Sequence, residues 1–181
     1  THSKPNGRCF PRHVILRQLG HGNLTCAFLA APRDARRANL RVLELLHPEL
    51  AEDEGLRALF LDQAAATLSL RHPNIVRTLE VIADRDCCGL AVEFLNGQTL
   101  ARVLERLGRH RFPVDLHLHV LSKVLAALAY AHDVGRPEPG LVHRDVCPSN
   151  VFLTYDGQVK LLGTGFADAV QALEARLAHP L

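Results

Sequence analysis

Methionine and tryptophan are absent from the 181 residues, and tyrosine occurs only twice. Without any Met, the true start is expected to lie outside the sequence, which reads as a fragment of a longer chain. Charge of one sign is lacking too: 21 Lys and Arg face 19 Asp and Glu, a formal net charge of +2. So small an imbalance gives no electrostatic reason to expect nucleic acid or an anionic membrane as partner. No uninterrupted apolar run reaches the roughly 18 residues of a membrane helix. Thr1-His2-Ser3-Lys4-Pro5 leads into no apolar segment, so neither a signal peptide nor a membrane segment is expected within the chain.

Cysteine is sparse and unpaired in pattern. Cys9, Cys26, Cys87, Cys88 and Cys147 are odd in number, and none forms a C-x-x-C pair. This is reduced usage and points to a cytoplasmic setting. His117 and His119 invite a metal reading, but a spacing of two puts them on different faces of a helix. No zinc site is expected from them.

What is present is an ordinary globular composition, 48% apolar, enough for a core and two small lobes. Residues 13–20 read as a strand ending in a glycine turn, 26–31 as its return, and 40–46 as a third strand. The acidic run from Glu49 to Glu54 opens a helix with Leu56, Leu59, Phe60 and Ala64 at helical spacing. Two more strands follow near 76–83 and 89–94. After Asn96-Gly97 the pattern turns helical, at 99–107 and at 114–132, where Leu116, Val120, Val124, Leu128 and Ala131 form one stripe. Residues 150–154 and 158–162 read as a hairpin around Asp156-Gly157, a pair that suits a tight turn.

Three motifs recur in fixed order. Gly20-His21-Gly22-Asn23-Leu24-Thr25 sits between two strands and alone reads as a plain turn. His72-Pro73-Asn74 follows the first long helix. His143-Arg144-Asp145-Val146-Cys147-Pro148-Ser149-Asn150 precedes the hairpin and matches H-R-D-x-x-x-x-N. Together they resemble the eukaryotic-type serine/threonine protein kinases, the bacterial members in particular, over about residues 13–170. The resemblance implies an α+β, bilobal protein-kinase-like fold: an N-terminal extension over 1–12, an N-lobe of five antiparallel strands and one helix over 13–95, and a partial helical C-lobe over 96–181 that ends in the activation segment.

It further implies ATP and magnesium as cofactors. Gly20 and Gly22 would lie over the nucleotide, with Val42 on its adenine side. Val92, Glu93 and Leu95 would form the back of the pocket and the hinge. His143, Arg144, Asp145 and Asn150 would stand at catalytic-loop positions, with Asn150 as a metal ligand. His143 and Arg144 brace this loop in the fold, and Asp145 and Asn150 can bond its own backbone, so their presence is also what a merely folded loop requires.

Against this pattern the charged groups of phosphoryl transfer are missing. Lys4, Lys123 and Lys160 are the only lysines, and none lies in the third strand. There Glu44 takes the Lys position, favoured over Arg41, which points to the other strand face. Gln63 takes the place of the helix Glu. Gly163 stands where the family has its metal-binding Asp, while Asp156 and Asp168 lie elsewhere. The resemblance therefore implies a pseudokinase acting as a binding or regulatory signalling module toward a protein partner. The competing readings are an active serine/threonine kinase using Arg41 on the phosphates, a small-molecule phosphotransferase, and a decaying gene.

Overall fold

A computed structural model describes residues 12–33, 39–84, 87–108, 111–134, 140–164, 166, 169 and 171. Most of the N-terminal extension with Cys9, residues 34–38, Arg85-Asp86, residues 135–139, Gly165, Asp168 and residues 172–181 lie outside them. The chain divides into two compact units. The described residues of the first fall within Thr1–Leu68, Thr78–Phe94 and Asp168–Leu181; those of the second within Ser69–Arg77 and Leu95–Ala167.

The first unit is built on a five-stranded antiparallel sheet. Its strands are β1 (His13–His21), β2 (Thr25–Pro32), β3 (Arg41–Leu46), β4 (Thr78–Ala83) and β5 (Cys88–Glu93), in the order β1-β2-β3-β5-β4. β3 is central, paired with β2 through Glu44↔Ala27 and with β5 through Glu44↔Leu90. Strand alternation sorts its side chains by face. Leu43 and Leu45 join Phe28, Ala30, Ile82 and Ala91 in one buried cluster, which puts Val42 and Glu44 on the other face. Gly89 lies so close to β3 that a Cβ there would strike the Glu44 carbonyl, so a larger residue would push the two strands apart.

The acidic run does not form one helix. α1 (Pro48–Ala51) is a single turn started by Pro48, whose lost N–H would be unpaired there anyway. Asp53 then restarts the chain as α2 (Glu54–Thr67), its side chain accepting from the Leu56 N–H at 2.8 Å. α2 buries Leu56, Phe60, Gln63, Ala64 and Thr67, whereas Leu59, placed on this face from the sequence, is only half-buried. Burying side chains such as Phe60 stabilises by about 2–3 kcal/mol each. Thr67 Oγ1 donates to Ala64 O and to Thr78 Oγ1, at 2.7 and 2.8 Å, fastening the end of α2 to β4.

The second unit holds a three-stranded sheet, β6 (Gly97–Thr99), β7 (Val151–Thr154) and β8 (Val159–Leu161), with α3 (Leu100–Leu107) and α4 (Val114–Asp133). β6 was not expected from the sequence: Asn96-Gly97 reads as a boundary, yet Gly97 is the residue whose missing Cβ lets the strand reach the Leu153 carbonyl. The β7–β8 hairpin turns at Gly157, with φ 88°, as the Asp-Gly pair suggests. Asn74 lies along β8. It accepts from Leu161 N–H at 2.8 Å and donates its side-chain amide to Val159 O at 2.9 Å. The bond from this short side-chain amide to Val159 O accounts for Asn in the His-Pro-Asn motif, while the Leu161 bond uses its backbone carbonyl.

α4 buries Val120, Val124, Ala127 and Ala131 beside Ile75, Val159 and Leu161. Leu116, assigned to the buried stripe from the sequence, is 45% exposed, and Ala127 takes a place on it instead. By length and composition alone α4 could cross a bilayer, although no uninterrupted apolar run does so. Its packed stripe, with Asp115, Lys123 and Asp133 elsewhere on it, is that of a core helix.

Candidate functional site

In the first unit, the strand that carries Glu44 holds it half-buried between Ala27 and Leu90. No hydrogen bond or ion pair from a described residue reaches its carboxylate. Burial alone pushes the Glu44 carboxyl up to about 7, because desolvation penalises the charged form and no cation offsets it. Arg41 is on the other face and engaged there. Its guanidinium lies 3.5 Å from Glu80 Oε2 and 3.4 Å from His13 Nε2, with Arg12 adding a contact to Glu80 Oε1 at 3.4 Å.

Gln63 is buried on α2, as its spacing from Phe60 requires. Its Oε1 accepts from the Ala169 backbone N–H at 3.1 Å. Gly20 lies within β1, paired with Ala27, and Gly22 lies at the β1–β2 turn, where its N–H donates to Thr25 O at 2.8 Å. Val92 is buried on β5, Glu93 ends that strand, and Leu95 opens the second unit.

In the second unit, His143 is 3% exposed and organises the loop. Its Nε2 donates to Leu162 O at 2.7 Å, so its Nδ1 is left to accept from Asp145 N–H at 3.3 Å. Arg144, between them, has φ 55°, the one positive φ outside glycine among the described residues. Such a conformation persists only where its surroundings hold it. Asn150 closes the loop, its amide donating to Asp145 O at 2.9 Å and to Asp145 Oδ2 at 2.8 Å. Its backbone carbonyl accepts from Leu162 N–H at 2.8 Å. Gly163 follows directly, with φ 69° and open space where a Cβ would stand. Thr164 is buried, and its hydroxyl has no hydrogen-bond partner.

Two relationships escaped the sequence reading. Gln63 with Ala169 joins residues far apart in the chain, and only the fold brings them together. His21, Cys26 and His47 likewise converge, their potential ligand atoms within 4.8 Å of one another. The β1–β2 register pairs His21 with Cys26, which a hairpin reading contains in principle; His47 arrives from the end of β3. The pair weighed from the sequence goes elsewhere: His117 Nδ1 meets Pro113 O at 3.0 Å, and its ring sits edge-on to Phe112.

A five-stranded sheet with one long helix, a His-Arg-Asp loop bonded through His143 and Asn150, and a following hairpin define a protein-kinase-like domain. The protein kinase domain family model matches residues 13–178, and the chain belongs to that family. It is 34% identical over 175 residues to the tyrosine-protein kinase MasK of Myxococcus xanthus, covering 92% of this chain and 26% of that protein. It is 27% identical over 165 residues to the serine/threonine-protein kinase PrkC of Bacillus subtilis, covering 89% of this chain and 24% of that one. Among solved structures, the kinase domain of Mycobacterium tuberculosis PknI superposes with a TM-score of 0.73 at 25% identity, over 86% of this chain and 59% of that one. The chain thus spans about a quarter of the length of these two curated relatives.

Proposed function

We propose that this domain is a pseudokinase, a protein-binding and regulatory signalling module of the kinase family that has lost phosphoryl transfer. The observation that carries the proposal is Glu44: a half-buried carboxyl with no cation beside it, on the β3 face shared with Val42. A cation there would attract a polyphosphate. A carboxylate repels it, and one charge pair at ~4 Å is worth on the order of 4 kcal/mol at an effective dielectric of ~20.

The residues present do not fit magnesium well. Magnesium takes oxygen ligands and is usually held by one or two carboxylates beside the substrate phosphates. Gly163 offers no side chain, and the Asp145 carboxylate already accepts from the Asn150 amide. Gln63 is neutral and its oxygen is spent on Ala169. In this reading Glu44 and Gln63 replace an ion pair, Val92 and Glu93 are vestiges of an adenine-binding strand, and His143 to Asn150 keep a loop whose bonds are its own. Among the described residues Cys26, Cys87, Cys88 and Cys147 form no disulfide, which supports a reduced, cytoplasmic setting.

One observation favours the alternative, an active kinase acting on protein hydroxyls: the Asp145 loop is well formed. Arg41 is poorly suited to help it, being occupied with Glu80 on the opposite strand face. Calorimetry with Mg-ATP and a radiolabel transfer assay separate the two. The pseudokinase reading expects neither binding nor transfer. Sub-millimolar magnesium-dependent binding, or transfer abolished by Asp145→Asn, would establish the active kinase.

A further inference from the structure

We propose that His21, Cys26 and His47 form a transition-metal site of the zinc class, which ties the β1–β2 hairpin to the start of α1. The three residues come from three places in the first unit: the end of β1, the start of β2, and the residue between β3 and α1. Their candidate ligand atoms lie within 4.8 Å of one another.

The geometry of the inner pair already suits a metal. Cys26 Sγ and His47 Nδ1 are 3.6 Å apart. With zinc–sulfur and zinc–nitrogen bonds of about 2.3 and 2.05 Å at a tetrahedral angle, the expected sulfur–nitrogen edge is about 3.6 Å. The tautomer is also set correctly. His47 Nε2 lies 2.7 Å from the Gly22 carbonyl, which can only accept, so the proton is on Nε2 and the Nδ1 lone pair faces the sulfur. A ligating histidine whose other nitrogen donates to a backbone carbonyl is the usual outer-shell arrangement of such sites. The Gln18 amide lies 3.8 Å from Cys26 Sγ and would support a thiolate there. Leu24 O accepts from the His47 N–H at 3.0 Å, which fixes the backbone between hairpin and helix.

His21 completes the set from outside. Its ring packs against that of His47 with centroids 4.5 Å apart, and its side chain is exposed. Two imidazoles and one thiolate select zinc-class ions over magnesium or calcium, which prefer oxygen. The fourth position is left to water or to a ligand from a partner. Binding displaces the thiol proton to the buffer, forms one metal–sulfur and two metal–nitrogen bonds, and needs no oxidant.

The probe is Zn2+ alone, titrated by chelator competition into the 181-residue chain, with Co2+ as a spectroscopic substitute. One equivalent should bind, with a sulfur-to-cobalt charge-transfer band, release of a proton, and a rise in melting temperature. Cys26→Ser should abolish the band, and His21→Ala should weaken binding about tenfold or more. His21 is exposed, so that variant folds whatever the fate of a His47 variant. The double variant His117→Ala, His119→Ala should bind as the parent does. Binding that survives both Cys26→Ser and His21→Ala, or no binding at micromolar zinc by a folded chain, would overturn the proposal. Neither outcome bears on whether the domain transfers phosphate.

Discussion

Gln63 Oε1 accepts the Ala169 N–H at 3.1 Å, so this α2 side chain is bonded to backbone beyond Gly163 in the chain. Both residues are buried. An unpaired buried N–H costs about 1–3 kcal/mol. Gln63→Ala should therefore lower stability by about 1–2 kcal/mol in urea unfolding and speed hydrogen exchange at Ala169. Gln63→Glu keeps an accepting oxygen and should leave that amide protected. Equal exchange in both variants would remove the bond from the account.

Glu44 predicts a pH dependence. Its carboxyl is raised from an ordinary 4.5 to about 7 in the folded state. A raised carboxyl favours folding fully below its unfolded pKa, and the contribution is lost as pH rises through the folded pKa. The loss thus spans pH 4.5 to 7. The full shift would correspond to about 3 kcal/mol, and the partial solvent access of the side chain reduces it to about 2. Glu44→Gln should be nearly as stable as the parent at pH 5 and more stable by about that amount at pH 8, provided the amide finds partners. Parallel stability curves over this range would show that Glu44 is better solvated than its surroundings indicate.

The fold was legible where pattern and period were strong. Five strands, the α2 face with Phe60 and Ala64, the α4 helix and the Gly157 turn follow from alternation, helical spacing and glycine chemistry. β6 was not, because three residues at a Gly boundary carry no period and their pairing with β7 is a tertiary event. The split of α1 from α2 was hidden by an acidic run in which Asp53 caps rather than continues. For the site, absences were readable at once, since a chain without a lysine in its third strand needs no coordinates to show it. Bonds such as those of Gln63, and the meeting of His47 with Cys26, were not, because sequence distance says nothing of which ends a sheet brings together.

α4 presents a second, unpacked face. Val114, Leu118, Leu121 and Leu125 are between 55% and 74% exposed, and helical spacing puts them on one side of the helix, away from the buried stripe. Patches of this kind drive association. Sedimentation of the isolated chain should show self-association that grows with concentration. Leu118→Glu with Leu125→Lys should shift it toward monomer without changing the far-ultraviolet spectrum. A monodisperse parent chain of high thermal stability would refute this.

The last test asks whether the missing chemistry can be restored. Glu44→Lys alone buries a cation without a partner. Gln63→Glu alone sets a second carboxyl on the unit that holds Glu44, and Gly163→Asp alone adds one ligand to a site short of several. Because such groups act as a unit, single repairs should recover no measurable Mg-ATP binding. The triple variant supplies all three at once, and the backbone permits it. Gly163 has open space for a side chain, and its φ of 69° is one that Asp tolerates better than most residues, at about 1 kcal/mol. The Asp145–Asn150 loop needs no change. Calorimetry should detect magnesium-dependent nucleotide binding by the triple variant and none by the parent or the singles. Tight binding by Glu44→Lys alone would mean that repulsion at this one position, rather than the loss of the set, is what opposes nucleotide binding.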